Sequence, residues 1–436
     1  NLSPQNLVRF TRLTVTIPVN PDMTARKRKG NDMSVEQRPL LGVCPIGKFV
    51  FSHEDAMRQK AAIFEKLDAW SINYCAVDEA IPDGMVRDQA HVEPVVDLLR
   101  KKEIDALFVP HCNFGTEGAV GMIARNLGVP VLLWGPRDEA PLEDGARLRD
   151  SLCGMFASSK VLRKLNVPFS YINNCIVDDP AFREGLDCFL RAVSVVRAMK
   201  RMRIGQIGVR IDFFWTTINN ESELLERFGV EVLPVDMADL LGRVQQRFAR
   251  KQQDYEKELD GFRYQGLDTS ALESTEGVLK SLALRDELLE LAREQKLDAL
   301  CVKSFPSIPN ALGAGCGFGL GLAEEQMCVA PESDLHGAIS GVLLKAAARV
   351  DDVVFSPEYT VRHPENDNAI LLWHGSGPWC LRHPDYQQVG FKPPWILKDL
   401  PPNSLQFRLK EGPLTVCRFD GDSNDYCLGT GQGHTV

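Results

Sequence analysis

Short apolar segments alternate with longer amphipathic segments from residue 41 onward. The segments LGVCPIG, YCAV, IDALFVP and VPVLLWG are apolar throughout, and patterns of helical period such as DAMRQKAAIFEKLDAW and VEPVVDLLRKK separate them. Strands that are apolar on both faces belong to parallel sheets that helices cover on both sides. The pattern predicts a doubly wound, Rossmann-like α/β domain over residues 39–168.

The same alternation continues along the middle of the chain. Helical patterns cover residues 181–202 and 239–262, and IGQIGVRI, EVLPVDM and DALCV have the character of strands. This predicts a second Rossmann-like α/β domain over residues 169–330.

The composition and the pattern of apolar residues change near residue 350. Prolines cluster, helical patterns fade, and short alternating segments such as ILLWH and PLTVCRF appear. We therefore predict a β-rich C-terminal domain over residues 331–436. Residues 1–38 contain the basic run RKRKG and no sustained apolar period, which predicts a flexible N-terminal extension.

Composition narrows the class of protein. The 436 residues are 44% hydrophobic and carry a net charge of −9, so no basic face for nucleic acid is expected. No run approaches the roughly 18 apolar residues of a membrane span. The twelve cysteines contain no CxxC pair and lie largely in apolar stretches, which indicates reduced thiols and a cytoplasmic protein.

Standard nucleotide-binding motifs are missing. The sequence contains neither a GxGxxG turn placed between a strand and a helix nor GxxxxGK[ST].

The segment PESDLHGAISGVLL concentrates ionisable side chains just before a helical pattern. Glu332, Asp334 and His336 fall within five residues. Asp334 is well placed to cap the N-terminus of a helix that begins near Leu335. In an extended segment, Glu332 and Asp334 would instead point to one face and converge on a cation. The two interpretations are compatible, and both stay open.

Two further residues stand out by their positions. His374 closes the apolar strand of LLWHGSGPW and meets a glycine turn, so it is either a core histidine or a ligand on a rigid edge. Arg149, in RDSLCG, is either part of a surface ion pair or a binding residue.

Several segments resemble one known family. NFGTEGAV, VPVLLWGPRDE, RDSLCGMFASSKVLRKLNVPFS, IGVRIDFF, PESDLHGAISGVLL and LLWHGSGPW occur in the order of similar segments in the L-fucose isomerase and L-arabinose isomerase superfamily. The likeness extends from about residue 40 to the end, and RDSLCG with its flanks is its most specific part. The chain is most similar to the short fucose-isomerase-like members.

This resemblance implies a metal-dependent aldose–ketose isomerase of the fucose-isomerase-like type. Such an enzyme acts on a sugar through a cis-enediol, uses Mn2+ or Mg2+, and forms a homo-oligomer, either trimer or hexamer. By position, the resemblance implies Asp334, Glu332 and His374 as metal ligands. It also implies Asp334 and Glu332 as the groups that move the proton.

Other implied contacts lie in the first two domains. Arg210, with Asn220 and Glu221, matches an "R…NE" pattern of the family's middle domain and is expected to contact substrate or a neighbouring subunit. Arg149, in the RDSLCG segment, is likewise expected to contact substrate.

The chain also departs from the family pattern. Ser307 stands where the family carries a second acidic ligand, and Glu332, Glu324 or Glu325 are the available substitutes. Three functions remain open as a result: an aldose–ketose isomerase, another metal-dependent enzyme such as an epimerase or lyase, and a non-catalytic sugar-binding protein.

Overall fold

The computed structural model describes residues 38–436 except 314, 351, 376, 394–403 and 422–424. The predicted extension therefore lies almost wholly outside the described residues.

The N-terminal part is a parallel sheet with five helices. Its elements are, in chain order, β1 Leu41–Val43, α1 His53–Ala69, β2 Tyr74–Ala76, α2 Val92–Lys101, β3 Ala106–Pro110, α3 Glu117–Leu127, β4 Val131–Trp134, α4 Ser151–Lys164, β5 Phe169–Tyr171 and α5 Pro180–Lys200. The strand order is β2-β1-β3-β4-β5, and each pairing is parallel.

Both faces of this sheet are covered. Phe108 and Val109 are neighbours on β3, and their side chains point to opposite faces. Phe108 packs in a cluster with Phe182 of α5, and Val109 packs in another with Ile123 of α3. The doubly wound arrangement predicted from the apolar strands is confirmed. Because β5 pairs with β4, this sheet extends beyond the boundary predicted at residue 168.

The middle part contains a second parallel sheet. Its elements, in chain order, are β6 Arg203–Ile207, α6 Glu221–Phe228, β7 Glu231–Val235, α7 Met237–Tyr264, β8 Leu267–Asp268, α8 Glu276–Gln295, β9 Ala299–Val302, α9 Ser307–Leu312, α10 Gly317–Glu324, β10 Cys328–Ala330 and α11 Leu335–Ala348. The sheet order is β10-β9-β6-β7, so the chain reverses direction across the sheet between β6 and β9. Ligands of open α/β sheets bind at the carboxyl ends of the strands beside such a reversal.

The C-terminal part is rich in strands, as predicted. These strands are β11 Glu358–Arg362, β12 Ile370–Trp373, β13 Val389–Lys392, β14 Ser404–Leu405, β15 Gly412–Gly421 and β16 Tyr426–Thr435. β11 pairs with β12 and β15 with β16 in two antiparallel hairpins, and β13 lies between β14 and β8.

The long C-terminal hairpin is attached to the second sheet through α11. Phe419 of β15 packs in one cluster with Leu335 and Ile339 of α11 and with Ala330 of β10. Within the described residues, no helix is both long enough and apolar enough to cross a membrane.

Candidate metal centre

The turn after β10 holds Glu332 at the carboxyl edge of the second sheet. Glu332 and Ser333 both have left-handed backbone conformations, with φ of 61° and 58°. The Glu332 N–H donates to Ser304 Oγ at 3.2 Å, and the Ser333 N–H donates to the Val302 carbonyl oxygen at 3.0 Å. Two consecutive non-glycine residues in the left-handed backbone conformation are uncommon and strained. The two hydrogen bonds to residues at the end of β9 hold the turn in this conformation.

The β11–β12 hairpin brings two more side chains to the same place. Glu358, the first residue of β11, lies opposite Trp373 in the antiparallel register. His374 is the residue that follows Trp373, so the pairing places it beside Glu358.

The side chains of Glu332, Glu358 and His374 meet in one cluster. One ligand atom from each lies within 4.8 Å of the other two. Glu332 and His374 are partly buried and Glu358 is exposed. The structure thus brings together two of the three ligands that the resemblance implies, and it adds Glu358, which the sequence analysis did not identify.

The electrostatics of this cluster favour a cation. Burial, the Glu358 carboxylate and the Asp334 carboxylate raise the pKa of Glu332 to about 7. Burial lowers the pKa of His374 to about 4, so its imidazole is neutral near pH 7 and can donate a lone pair. The charged side chains that shift the pKa of Glu332 are both carboxylates, Glu358 and Asp334.

The donor set indicates which metal would fit. Two carboxylates and one imidazole, without a thiolate, suit Mn2+ or Mg2+ better than a soft metal. A divalent cation would also neutralise the two carboxylates, whose mutual repulsion contributes to the raised pKa of Glu332.

Asp334 does not join Glu332 in the cluster, as it would if this segment were extended. Its side chain accepts a hydrogen bond from the Gly337 N–H at 3.0 Å, which confirms that it caps α11. It also accepts from the guanidinium of Arg418 on β15. Asp334 is not among the three clustered side chains, although its carboxylate contributes to the raised pKa of Glu332.

Arg149 is enclosed within the first domain. Its side chain is only 1% exposed, and its Nη1 lies 3.1 Å from Asp55 Oδ2. It also pairs with Glu139. The neighbouring Asp138 carboxylate accepts from the backbone N–H groups of Asp150 and Ser151, at the start of α4. These contacts give the RDSLCG segment a structural role in the first domain.

Arg210, Asn220 and Glu221 lie in the connection that follows β6. Arg210 Nη1 donates to the carbonyl oxygens of Ile211 and Phe214, which stiffens the loop. The Asn220 side chain accepts from the Glu223 N–H at 3.3 Å and caps α6, whose first residue is Glu221. None of the three belongs to the clustered ligands.

Ser307 and the two glutamates considered as its substitutes, Glu324 and Glu325, lie outside the cluster. Ser307 is the first residue of α9. Glu324 is buried, and burial raises its pKa well above the ordinary value. Glu325 Oε1 accepts from the Cys380 N–H at 2.8 Å. Glu358, rather than either of these substitutes, completes the cluster.

The fold and this cluster define a class: a two-sheet α/β protein with a candidate metal centre at the carboxyl edge of its second parallel sheet. Residues 42–200 match the family model described as "Fucose/sulfoquinovose isomerase, N-terminal domain". This match agrees with the resemblance to the fucose isomerase superfamily that the sequence indicated.

Two sulfoquinovose isomerases are similar to this chain over most of its length. Sulfoquinovose isomerase of Priestia aryabhattai is 25% identical over 410 residues, which cover 90% of this chain and 84% of that protein. Sulfoquinovose isomerase of Alkalicoccus urumqiensis is 28% identical over 340 residues, covering 76% and 72%. A periplasmic solute-binding protein of Actinobacillus succinogenes 130z with bound D-allose matches with 13% identity and a TM-score of 0.17, over 63% of this chain and 80% of that one. That likeness is too weak to support an argument.

Proposed function

We propose that this protein is a metal-dependent aldose–ketose isomerase. The observation that carries the proposal is the convergence of Glu332, Glu358 and His374 within 4.8 Å of one another. Similarity to sulfoquinovose isomerases supports the reaction class, and we propose a sulfonated hexose, sulfoquinovose, as the substrate.

Glu332, Glu358 and His374 would hold a divalent cation, which we propose to be Mn2+ or Mg2+. When bound, such a cation polarises carbonyl and hydroxyl oxygens and contributes several kcal/mol of charge stabilisation. The left-handed turn at Glu332 and the β11–β12 register at Glu358 would hold these ligands in place before substrate arrives.

Proton transfer is the second task. An aldose–ketose isomerase removes the hydrogen on the carbon next to the carbonyl, passes through a cis-enediol, and returns the proton to the neighbouring carbon. We assign this transfer to the Asp334 carboxylate, because it lies two residues from Glu332, lies outside the ligand cluster, and is held by Arg418. Glu332 is the alternative carrier.

We also propose that the protein is a homo-oligomer, a trimer or hexamer. The hairpin that carries Glu358 and His374 exposes Tyr359, Ile370 and Leu371 by 66%, 52% and 52%. A two-stranded sheet is marginal by itself in water, so a second copy that covers these side chains would stabilise it. Sedimentation of the purified protein tests this, since a monomer at all concentrations would contradict it.

The reaction is tested by isotope exchange. The Mn2+-loaded protein is incubated with sulfoquinovose in D2O, and NMR follows both ketose formation and deuterium incorporation. Deuterium at the carbon next to the carbonyl indicates an enediol route. Binding of the sugar without exchange or turnover would support a non-catalytic sugar-binding protein instead.

A further inference from the structure

Two consecutive glutamates end α10, the helix that leads into β10. Glu324 is the last residue of the helix, and Glu325 is its C-cap. The last carbonyl groups of a helix carry partial negative charge, so acidic side chains at this end do not stabilise the helix. The reason for these two residues therefore lies in what their carboxyl groups contact.

Glu324 binds the backbone of the segment that enters β11. Its side chain is buried, with the residue only 4% exposed, and its carboxyl group accepts a hydrogen bond from the Ser356 N–H. Ser356 lies two residues before Glu358, the first residue of β11. A buried hydrogen bond of this kind fixes the backbone just ahead of a candidate metal ligand.

Glu325 binds the backbone of the segment that leaves β12. Its Oε1 accepts from the Cys380 N–H at 2.8 Å. Cys380 follows His374 and its glycine turn. The two neighbouring carboxyl groups thus bond to the chain on either side of the β11–β12 hairpin.

Close packing of α10 against the glycine turn supports this arrangement. A Cβ on Gly321 of α10 would lie 2.6 Å from the Gly377 carbonyl oxygen, so the backbone of the turn lies directly against the helix. A Cβ on Gly377 would in turn lie 3.6 Å from Phe355 Cζ, which precedes Ser356. The segments before β11 and after β12 therefore meet each other beside the last turns of α10.

The hairpin depends on such anchors. Among the strands that the structure describes, β11 and β12 pair only with each other. A two-stranded sheet has little stability of its own in water. The place of Glu358 and His374 is therefore set largely by where the two ends of the hairpin are held.

The same helix also leads to the third side chain of the cluster. α10 is followed directly by β10, and the turn after β10 carries Glu332. One continuous piece of chain, from α10 through β10, thus carries one candidate ligand and holds the hairpin that carries the other two.

From these contacts we infer that Glu324 and Glu325 are positioning residues of the metal centre. Their bonds to the backbone hold both ends of the β11–β12 hairpin and keep Glu358 and His374 opposite Glu332. Neither glutamate belongs to the ligand cluster itself. The inference rests on the proposed function in one respect, that the cluster binds Mn2+, and it is independent of the substrate and of the reaction.

The test compares variants that remove or keep the acceptor. Glu324→Ala removes it, whereas Glu324→Gln keeps a carbonyl oxygen for the Ser356 N–H. Glu325→Ala, at a partly exposed position, gives a second test if Glu324→Ala does not fold. Leu291→Ala, which removes a buried leucine (6% exposed) from α8, is the matched control for lost packing.

Two measurements separate this inference from the proposed metal site. Hydrogen–deuterium exchange of the metal-free protein, followed by mass spectrometry, reports how firmly residues 358–373 are held. Calorimetry gives the Kd for Mn2+, and the electron paramagnetic resonance spectrum of bound Mn2+ reports its coordination.

We expect Glu324→Ala and Glu325→Ala to speed exchange in residues 358–373 and to raise the Kd for Mn2+ by about ten- to a hundredfold, as changes behind metal ligands commonly do. Glu324→Gln should match the wild type in both measurements. Leu291→Ala should lower the melting temperature but leave the Kd and the spectrum unchanged.

The inference is overturned if both alanine variants exchange and bind Mn2+ as the wild type does, if Glu324→Gln is as impaired as Glu324→Ala, or if Leu291→Ala weakens Mn2+ binding equally. A wild-type protein that binds no Mn2+ would instead overturn the proposed metal centre. Faster exchange of residues 358–373 in the alanine variants would then show the anchoring alone.

Discussion

Asp334 at the start of α11 pairs with Arg418 of the C-terminal hairpin, 84 residues further along the chain. Arg418 Nε also donates to Asp420 Oδ2 at 2.9 Å, and Asp420 Oδ1 lies 3.0 Å from His336 Nδ1. The hairpin therefore holds the first turn of α11, directly after the residues that place Glu332.

The first prediction separates metal binding from proton transfer. Asn caps a helix about as well as Asp, so Asp334→Asn should keep α11 in place. We expect this variant to retain Mn2+ after dialysis, as measured by elemental mass spectrometry, and to lose deuterium exchange. Loss of metal together with exchange would make Asp334 a ligand, the role that the family resemblance implies.

Glu358 is the subject of the second prediction. Glu358→Gln removes one of two carboxylates from the cluster, so retained Mn2+ should fall from near stoichiometric to background. Glu365→Gln is the matched control, because Glu365 is an exposed glutamate in the turn of the same hairpin. Equal metal content in the two variants would exclude Glu358 from the site, and an unchanged melting temperature would show that the fold survives.

Much of the fold follows from local patterns. Apolar strands between amphipathic helices predict parallel sheets, because only strands covered on both faces lack polar alternation. Asp334 was identified as a cap for a similar reason, since the helical pattern begins at the next residue. Such signals lie within a few residues of the structure that they specify.

The site depends on contacts that those patterns do not describe. Glu332 and Ser333 have left-handed rather than extended backbone conformations. The side chains of Glu332 and Asp334 therefore do not point to one face, as they would in an extended strand. Glu358 was missed although its signal was present. EYTVR and ILLW flank a polar turn, and their hairpin places the first residue of one strand opposite the end of the other, beside His374.

The third prediction concerns pH. His111 is fully buried, its Nε2 lies 2.8 Å from Ser158 Oγ, and burial lowers its pKa from 6.5 to about 4. Above pH 6.5 the His111 ring is neutral in both the folded and the unfolded chain. As the pH falls from 6.5 toward 4, the unfolded chain binds a proton that the folded chain excludes. The free energy of unfolding should then fall by up to about 1.4 kcal/mol per pH unit from this group.

Urea unfolding between pH 7 and pH 4.5 measures this slope. Other buried histidines add to it, so the comparison is with His111→Gln, which has no titrating ring. The variant should show a shallower slope over the same range. Parallel curves for the two proteins would mean that His111 already takes up its proton in the folded state.

The last prediction explains a glycine of the RDSLCG segment. A Cβ on Gly154 of α4 would collide with the carbonyl oxygen of Phe114, which belongs to the connection between β3 and α3. Backbone cannot rotate away as a side chain can, so Gly154→Ala should lower the free energy of unfolding by about 2 kcal/mol or more despite the better helix propensity of alanine.

Gly242 of α7 is the matched control. A Cβ there meets no described atom outside its own helix within 4 Å, so Gly242→Ala should stabilise by about 1 kcal/mol. Chemical denaturation of both variants measures the difference, and two changes of the same sign would contradict the close contact between α4 and Phe114.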